Sequence, residues 1–183
     1  MLSAQQPALP NLTTSGKIVV NGKAQPYMIQ HLPVNSFPNL PGPVAQALMR
    51  RGCSIPQTYE AHGPENVVRG SFERAGSSDW AVLCAARGTV SLLVFFASAP
   101  GEAEVLATAP EMERLYPSPE IGELGFDWGI DAATPAAVRE AQSGMDPRPA
   151  AIDHDAVADS IIEQSVVYRY YANGKWSELP QPD

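Results

Sequence analysis

A chain of 183 residues, 44% of them apolar, buries roughly 70% of its unfolded surface in a single core and needs no staple to fold. Its 18 prolines and 14 glycines exceed the usual combined share of about 12%, which points to many turns and a β-rich fold. The net charge of -8 is uneven, residues 1 to 101 carrying seven Lys and Arg against four Asp and Glu, and residues 102 to 183 five against sixteen. An acidic surface without a basic stripe argues against nucleic acid and anionic lipid as partners and leaves a protein or small-molecule partner. No run of about 18 apolar residues is present, so no membrane span is expected.

Residues 1 to 16 are polar, proline-containing and aperiodic, the composition of a disordered tail ahead of one domain over 17 to 180. Within the tail, Leu2-Ser-Ala-Gln-Gln-Pro7 has the composition found around the small-residue cleavage site of an export signal. A periplasmic or secreted location is therefore expected. Two short runs, 17 to 20 and 25 to 29, flank Asn21-Gly22 and read as a hairpin, because that dipeptide supplies the positive φ angles of a type I′ turn. Pro26 lacks a donor and marks the second arm as an edge strand.

Pro33, Pro38, Pro41 and Pro43 make residues 31 to 43 an extended loop. A helix follows over 43 to 51, with proline in its first turn and Arg50, Arg51 and Gly52 at its end. Val44, Ala47, Leu48 and Met49 form its expected apolar face. Runs at 66 to 72, 80 to 86, 91 to 97 and 104 to 109 are rich in β-branched and aromatic residues and read as strands. Trp80-Ala-Val-Leu-Cys84 and Leu92-Leu-Val-Phe-Phe96 are apolar at every position, so they should be central strands covered on both faces.

The pattern weakens from 110 to 142, except where Thr134 as cap and Pro135 in the first turn predict a short helix over 135 to 142. Strands then read at 160 to 164 and 166 to 172, and Asn173-Gly174 turns the chain into a partner strand at 175 to 179. The expected fold class is α+β, a mainly antiparallel sheet with two short helices packed on it.

In the stretch 66 to 96, Gly70, Phe72, Gly76, Asp79, Ala81 and Val82 resemble the FG-GAP and VCBS-type repeats, whose hairpins carry a calcium loop. The resemblance implies ligand oxygens at alternate positions, since Ca²⁺ takes six to eight oxygens at about 2.3 to 2.6 Å. Here those positions hold Ser71, Glu73, Ala75 and Asp79. A second segment within 151 to 176 lays Asp153, Asp155 and Asp159 on the same pattern, with Ala156 where the turn glycine would stand. The resemblance thus puts calcium at Asp153, Asp155 and Asp159. The residues themselves read as a solvated turn or a helix start, where Asp caps the backbone. RGCSIPQ, DWAVLC and the DHD with YxxNGKW ending also resemble features of uncharacterised exported bacterial proteins.

Cys53 and Cys84 fit one disulfide in an oxidising compartment, or a buried free thiol on an apolar strand. As nucleophiles they would need His31, His62 or His154 beside them, and no nucleophile motif, P-loop or dinucleotide fingerprint surrounds them. Glu111 with Glu113, or Glu120 with Glu123, are acidic pairs of the kind a hydrolase uses. Tyr168, Tyr170 and Trp176 read as cross-strand packing or as a contact surface for a partner. The function these residues favour is an exported, non-catalytic binding or structural protein. The alternative is an exported hydrolase using carboxylates from 111 to 159.

Overall fold

The computed structural model describes residues 12 to 182. Thirteen strands and two helices follow one another in these residues. The first half holds β1 (Leu12–Val20), β2 (Lys23–Pro33), α1 (Gly42–Arg51), β3 (Ser54–Gln57), β4 (Val67–Gly70), β5 (Asp79–Ala86) and β6 (Thr89–Phe95). The second half holds β7 (Ala103–Pro110), β8 (Leu115–Pro117), β9 (Leu124–Phe126), β10 (Trp128–Ala133), α2 (Pro135–Ala141), β11 (Ala156–Ile161), β12 (Ser165–Ala172) and β13 (Lys175–Pro182). A nine-stranded sheet runs β7-β6-β5-β3-β2-β9-β8, with β1 on β2 and β4 on β5, and a four-stranded sheet runs β10-β11-β12-β13. The pairings are antiparallel apart from the short β2–β9 contact at Tyr27 and Met28. The class is α+β, as the sequence predicts.

The layers follow from the alternation of side chains along β5. Ala81, Leu83 and Ala85 point to one face and join Trp128, Ile130 and Val157 of the smaller sheet. Trp80, Val82 and Cys84 point to the other and join Val44, Ala47 and Leu48 of α1, with Leu40 of the proline-rich loop. Helix α2 covers the far face of the smaller sheet, Val138 packing on Ala133, Ala156 and Leu179. The resulting order is α1, large sheet, small sheet, α2. No helix among the described residues is long and apolar enough to cross a membrane.

Local signals explain the element ends. Asn21-Gly22, Arg87-Gly88 and Asn173-Gly174 all take positive φ at both positions, the geometry of a two-residue hairpin turn. Gly52 closes α1 in the left-handed conformation at φ 73°, its N–H donating to the carbonyls of Leu48 and Met49, as a glycine C-cap does. Thr134 Oγ1 caps α2 by accepting from Ala137 N at 3.2 Å.

Several expectations are corrected. Residues 12 to 16, read as tail, belong to β1 and pair with Tyr27 through His31 of β2, whereas residues 1 to 11 lie outside the described residues. Strand β2 is interior, because it takes β1 on one side and β3 and β9 on the other. Its Pro26 sits just before the positions that receive β9, so its missing donor costs no bond there. Met49 is 58% exposed and leaves the helix face to Val44, Ala47 and Leu48. The strand expected at 160 to 164 instead begins at Ala156 and ends at Ile161, with Glu163 turning the chain at φ 59°.

Cys53 and Cys84 are joined, with Cα atoms 5.0 Å apart. The bond ties Cys53, just past the Gly52 cap of α1, to β5 across a sequence separation of 31 residues. Of the two readings of these cysteines, the structure holds the paired one. The double change Cys53→Ala with Cys84→Ala is expected to cost about 3 to 4 kcal/mol by loop entropy. In a thermal melt that is a drop of roughly 10 °C for a chain of this size. A variant melting with the parent would show that packing alone sets the helix on the sheet.

Candidate functional site

The structure gives Asp153, Asp155 and Asp159 three separate tasks. Asp155 Oδ2 accepts from Ser71 N at 2.9 Å while Asp155 N donates to Ser71 O at 2.9 Å, so the acidic loop is stitched to the β4–β5 loop. Asp159 is buried, accepting from Trp128 Nε1 at 2.5 Å and from Arg169 Nε at 2.7 Å. Asp153 is exposed and pairs with His154 Nδ1 at 3.0 Å. That hydrogen bond holds its carboxyl below the usual range. The three do not converge, and among the described residues no group of three or more His, Cys, Asp or Glu side chains is placed to hold a metal ion.

The first loop follows the same logic. Asp79 is fully buried and accepts from Glu73 N and Ala97 N at 2.8 Å each and from Ser77 Oγ at 2.5 Å. Backbone and hydroxyl donors take the place a cation would fill in a calcium loop, and the turn closes on the carboxylate.

The aromatic hairpin divides its side chains between two faces. Tyr168 and Tyr170 pack outward beside α2, whereas Tyr171 and Trp176, directly opposite each other in the ladder, face the large sheet. There they meet Phe96, with ring centroids 4.9 Å from Tyr171 and 5.9 Å from Trp176. Trp176 Nε1 also donates to Glu104 Oε2 at 2.5 Å. Tyr168 and Tyr170 therefore share a surface that Trp176 does not join.

Beside that hairpin lies a cleft of about 690 Å³, walled by the segment 149 to 154, the β12–β13 turn and the β4–β5 loop. Its charged lining is Arg74 and Lys175 on one side of the balance and Glu73 and Asp153 on the other, with Tyr170 as an aromatic wall. His154, 8% exposed, holds the cleft in shape. Its Nδ1 meets Asp153, and its Nε2 meets Tyr171 O at 2.6 Å. Both ring nitrogens are thus engaged, and the ring latches the acidic loop to the hairpin. The open cleft thus presents two cations, two anions and an aromatic face to solvent.

The chain matches no protein-family model, no curated protein and no solved structure. The site rests on its geometry.

A further set of polar residues escapes the sequence. Tyr59 lies across β9, its N–H donating to Phe126 O at 3.0 Å. A side chain at Gly125 would bring its Cβ within 2.5 Å of Tyr59 Cβ, so that position must be glycine. Arg114 sits 4.3 Å from the Trp128 ring centroid, and its carbonyl accepts from Asp127 N at 3.1 Å. Tyr59 Oη, Arg114 Nε and Asp127 Oδ1 are buried without a hydrogen-bond partner among the described residues. Burial first, then the charge of Glu163, pushes the Tyr59 hydroxyl up to about 12. Burial also raises the Asp127 carboxyl above its ordinary value, against the opposing pull of Arg114. No motif or periodicity marks these residues; they meet only because β8, β9 and the end of β3 are neighbours.

The carboxylates considered for hydrolysis are dispersed as well. Glu111 is buried and bonded to His31 Nε2 at 2.6 Å, while Glu113 and Glu120 are exposed and Glu123 is partly buried. From residues 111 to 159 the cleft receives Asp153 as its one carboxylate.

Two predictions separate these roles. Asp159→Ala strands Arg169 and the Trp128 indole, and should cost about 3 to 5 kcal/mol in urea unfolding, as breaking a buried pair does. Asp153→Ala should melt with the parent, and millimolar Ca²⁺ should shift neither. If Ca²⁺ raised the parent's melting temperature and both substitutions abolished the rise, a shared metal site would replace this account. For Asp127, a folded-state pKa raised above 3.8 means that the folded state loses stability as pH climbs through it. Asp127→Asn should therefore gain on the parent from acid to neutral pH and show no such gain below 3.8. Equal pH profiles of unfolding free energy for the two proteins would refute it.

Proposed function

We propose that the protein is an exported, non-catalytic binding protein that takes its ligand in the cleft between the segment 149 to 154 and the β12–β13 hairpin. The observation that carries this reading is the cleft itself, whose opposed charges and aromatic wall are held open by the His154 latch. A pocket of several hundred Å³ with few, placed polar groups is the usual form of a small-ligand site. Export is supported by the Cys53–Cys84 bond, since such pairs persist in oxidising compartments and are rare in the cytosol. The non-catalytic half is supported by the spread of the candidate carboxylates, of which the cleft receives Asp153 alone from residues 111 to 159.

The test is a panel of amino acids, short peptides and sugars followed by amide chemical shifts of the labelled protein. A ligand should move resonances in 149 to 154 and 170 to 177, and Lys175→Glu should weaken it about tenfold, or roughly 1.4 kcal/mol, without changing the melting temperature. Turnover of any panel member, or shifts confined to other regions, would turn the argument toward the hydrolase reading or away from this cleft.

A further inference from the structure

A second cavity, of about 800 Å³, opens on the α1 side of the large sheet, between the proline-rich loop and β4. Phe37, Pro38, Leu40, Val67 and Trp80 give it apolar and aromatic walls, and Ser36, Asn39 and Arg69 supply its polar groups. In a chain of net charge -8, this lining contains a guanidinium and no carboxylate. Arg69 is exposed and donates through Nε to Ser78 Oγ at 2.8 Å.

Two buried atoms of the lining, Trp80 Nε1 and Ser36 Oγ, have no hydrogen-bond partner among the described residues. The contrast with the other two indoles is informative. Trp128 Nε1 donates to Asp159 and Trp176 Nε1 to Glu104, each at 2.5 Å. The fold meets an indole N–H with a carboxylate in both of those places, and at Trp80, itself 9% exposed, it supplies none. An indole nitrogen can only donate, as can a guanidinium, so the group that satisfies both is an acceptor, and a charged one forms the stronger bonds.

We propose that this cavity is a binding site for a small carboxylate with an apolar or aromatic body. The carboxylate takes the Trp80 N–H, the Ser36 hydroxyl and the Arg69 guanidinium, and the body lies against Phe37, Pro38 and Leu40. Both unpartnered atoms lie beneath the cavity wall, so engagement requires the loop at 36 to 40 to yield. Its backbone makes short-range turn bonds, Phe37 N to Val34 O and Leu40 N to Phe37 O at 3.1 Å each, in place of a strand ladder, and Leu40 anchors its far end against α1. This site is distinct from the cleft beside the C-terminal hairpin and stands or falls separately.

The test is titration of the ¹⁵N-labelled full chain with phenylpropionate, its neutral amide as control, reading the three indole N–H resonances. Trp80→Phe, which keeps an aromatic ring and removes the donor, assigns the Trp80 signal. That signal should shift saturably with a Kd below about 1 mM, while those of Trp128 and Trp176 stay in place. The amide should bind about tenfold more weakly, and Arg69→Gln, a change on an exposed side chain, should weaken phenylpropionate by a similar factor. An unmoved Trp80 signal, equal binding of acid and amide, or shifts gathered at 149 to 154 and 170 to 177 would each overturn the proposal.

Discussion

Strand β5 cannot be satisfied by one layer. Seven of its eight residues, Asp79 through Ala85, are buried, and their side chains alternate between two interiors. Burying a Val, Leu or Phe side chain is worth about 1.5 to 3 kcal/mol, so leaving either face of β5 and β6 in water would forfeit much of the stability of the domain. The smaller sheet covers one face and α1, with the proline-rich loop, covers the other. A helix of 10 residues is too short to persist by itself, and it has two anchors on β5: the apolar contacts of Val44 and Leu48, and the covalent link from Cys53 to Cys84. The smaller sheet in turn exposes an apolar outer face, and α2 lies on it.

The acidic residues take part in this architecture as acceptors. Asp79 gathers two backbone amides and a hydroxyl, Asp155 takes the amide of Ser71, Asp159 takes an indole and a guanidinium, and Glu65 takes Thr58 N at 2.8 Å together with the Thr58 hydroxyl. A calcium loop and a loop closed by its own amides draw on the same residue types, because in both a carboxylate needs a partner of opposite charge or partial charge. What separates the two is whether the oxygens converge on one point. Each of these four carboxylates points at a different strand or loop: Asp159 braces β10 to β12, Asp79 and Glu65 close loops of the large sheet, and Asp155 ties the smaller sheet's acidic loop to the β4–β5 loop.

The parts of the fold legible in the sequence were those with a strong local cause. The strands around Trp80 and Leu92 announced themselves by continuous apolar runs, α1 by its proline start and glycine stop, and the hairpins by Asn-Gly. Strands β8 and β9, of three residues each, are too short for any period to show, and the division into two sheets is set by contacts between Trp128 and residues far away in sequence. The cleft was legible in part: the acidic loop and the tyrosine hairpin were both singled out, and they do face each other. Their third wall was legible only in part: Glu73 stood out as a position of the calcium-loop resemblance, but nothing in the sequence set it or Arg74 beside the acidic loop, and the stitch from Asp155 to Ser71 brings that loop across. The faces of Tyr168, Tyr170 and Trp176 were harder still, since an alternation of two decides the side only once the partner strand and its register are known.

Adjacent residues of β5 act at the two cavities, Asp79 through the loop that it holds and Trp80 directly. Asp79 fixes the loop that carries Glu73 and Arg74 into the cleft, through its bond from Glu73 N, and Trp80 forms the wall of the cavity on the opposite face. A central strand buried on both sides moves little, so Trp80 and the anchor of the Glu73–Arg74 loop sit on one rigid element. The charge asymmetry of the chain then acts differently on each. The Trp80 cavity is lined entirely from residues 36 to 80, within the half that carries net positive charge, whereas the cleft draws Arg74 and Glu73 from that half and Asp153 and Lys175 from the acidic one. The lining of the Trp80 cavity is thus positive, whereas the charges of the cleft balance, Arg74 and Lys175 against Glu73 and Asp153. The two cavities therefore differ in charge, while one strand supplies a wall of the first and anchors the loop of the second.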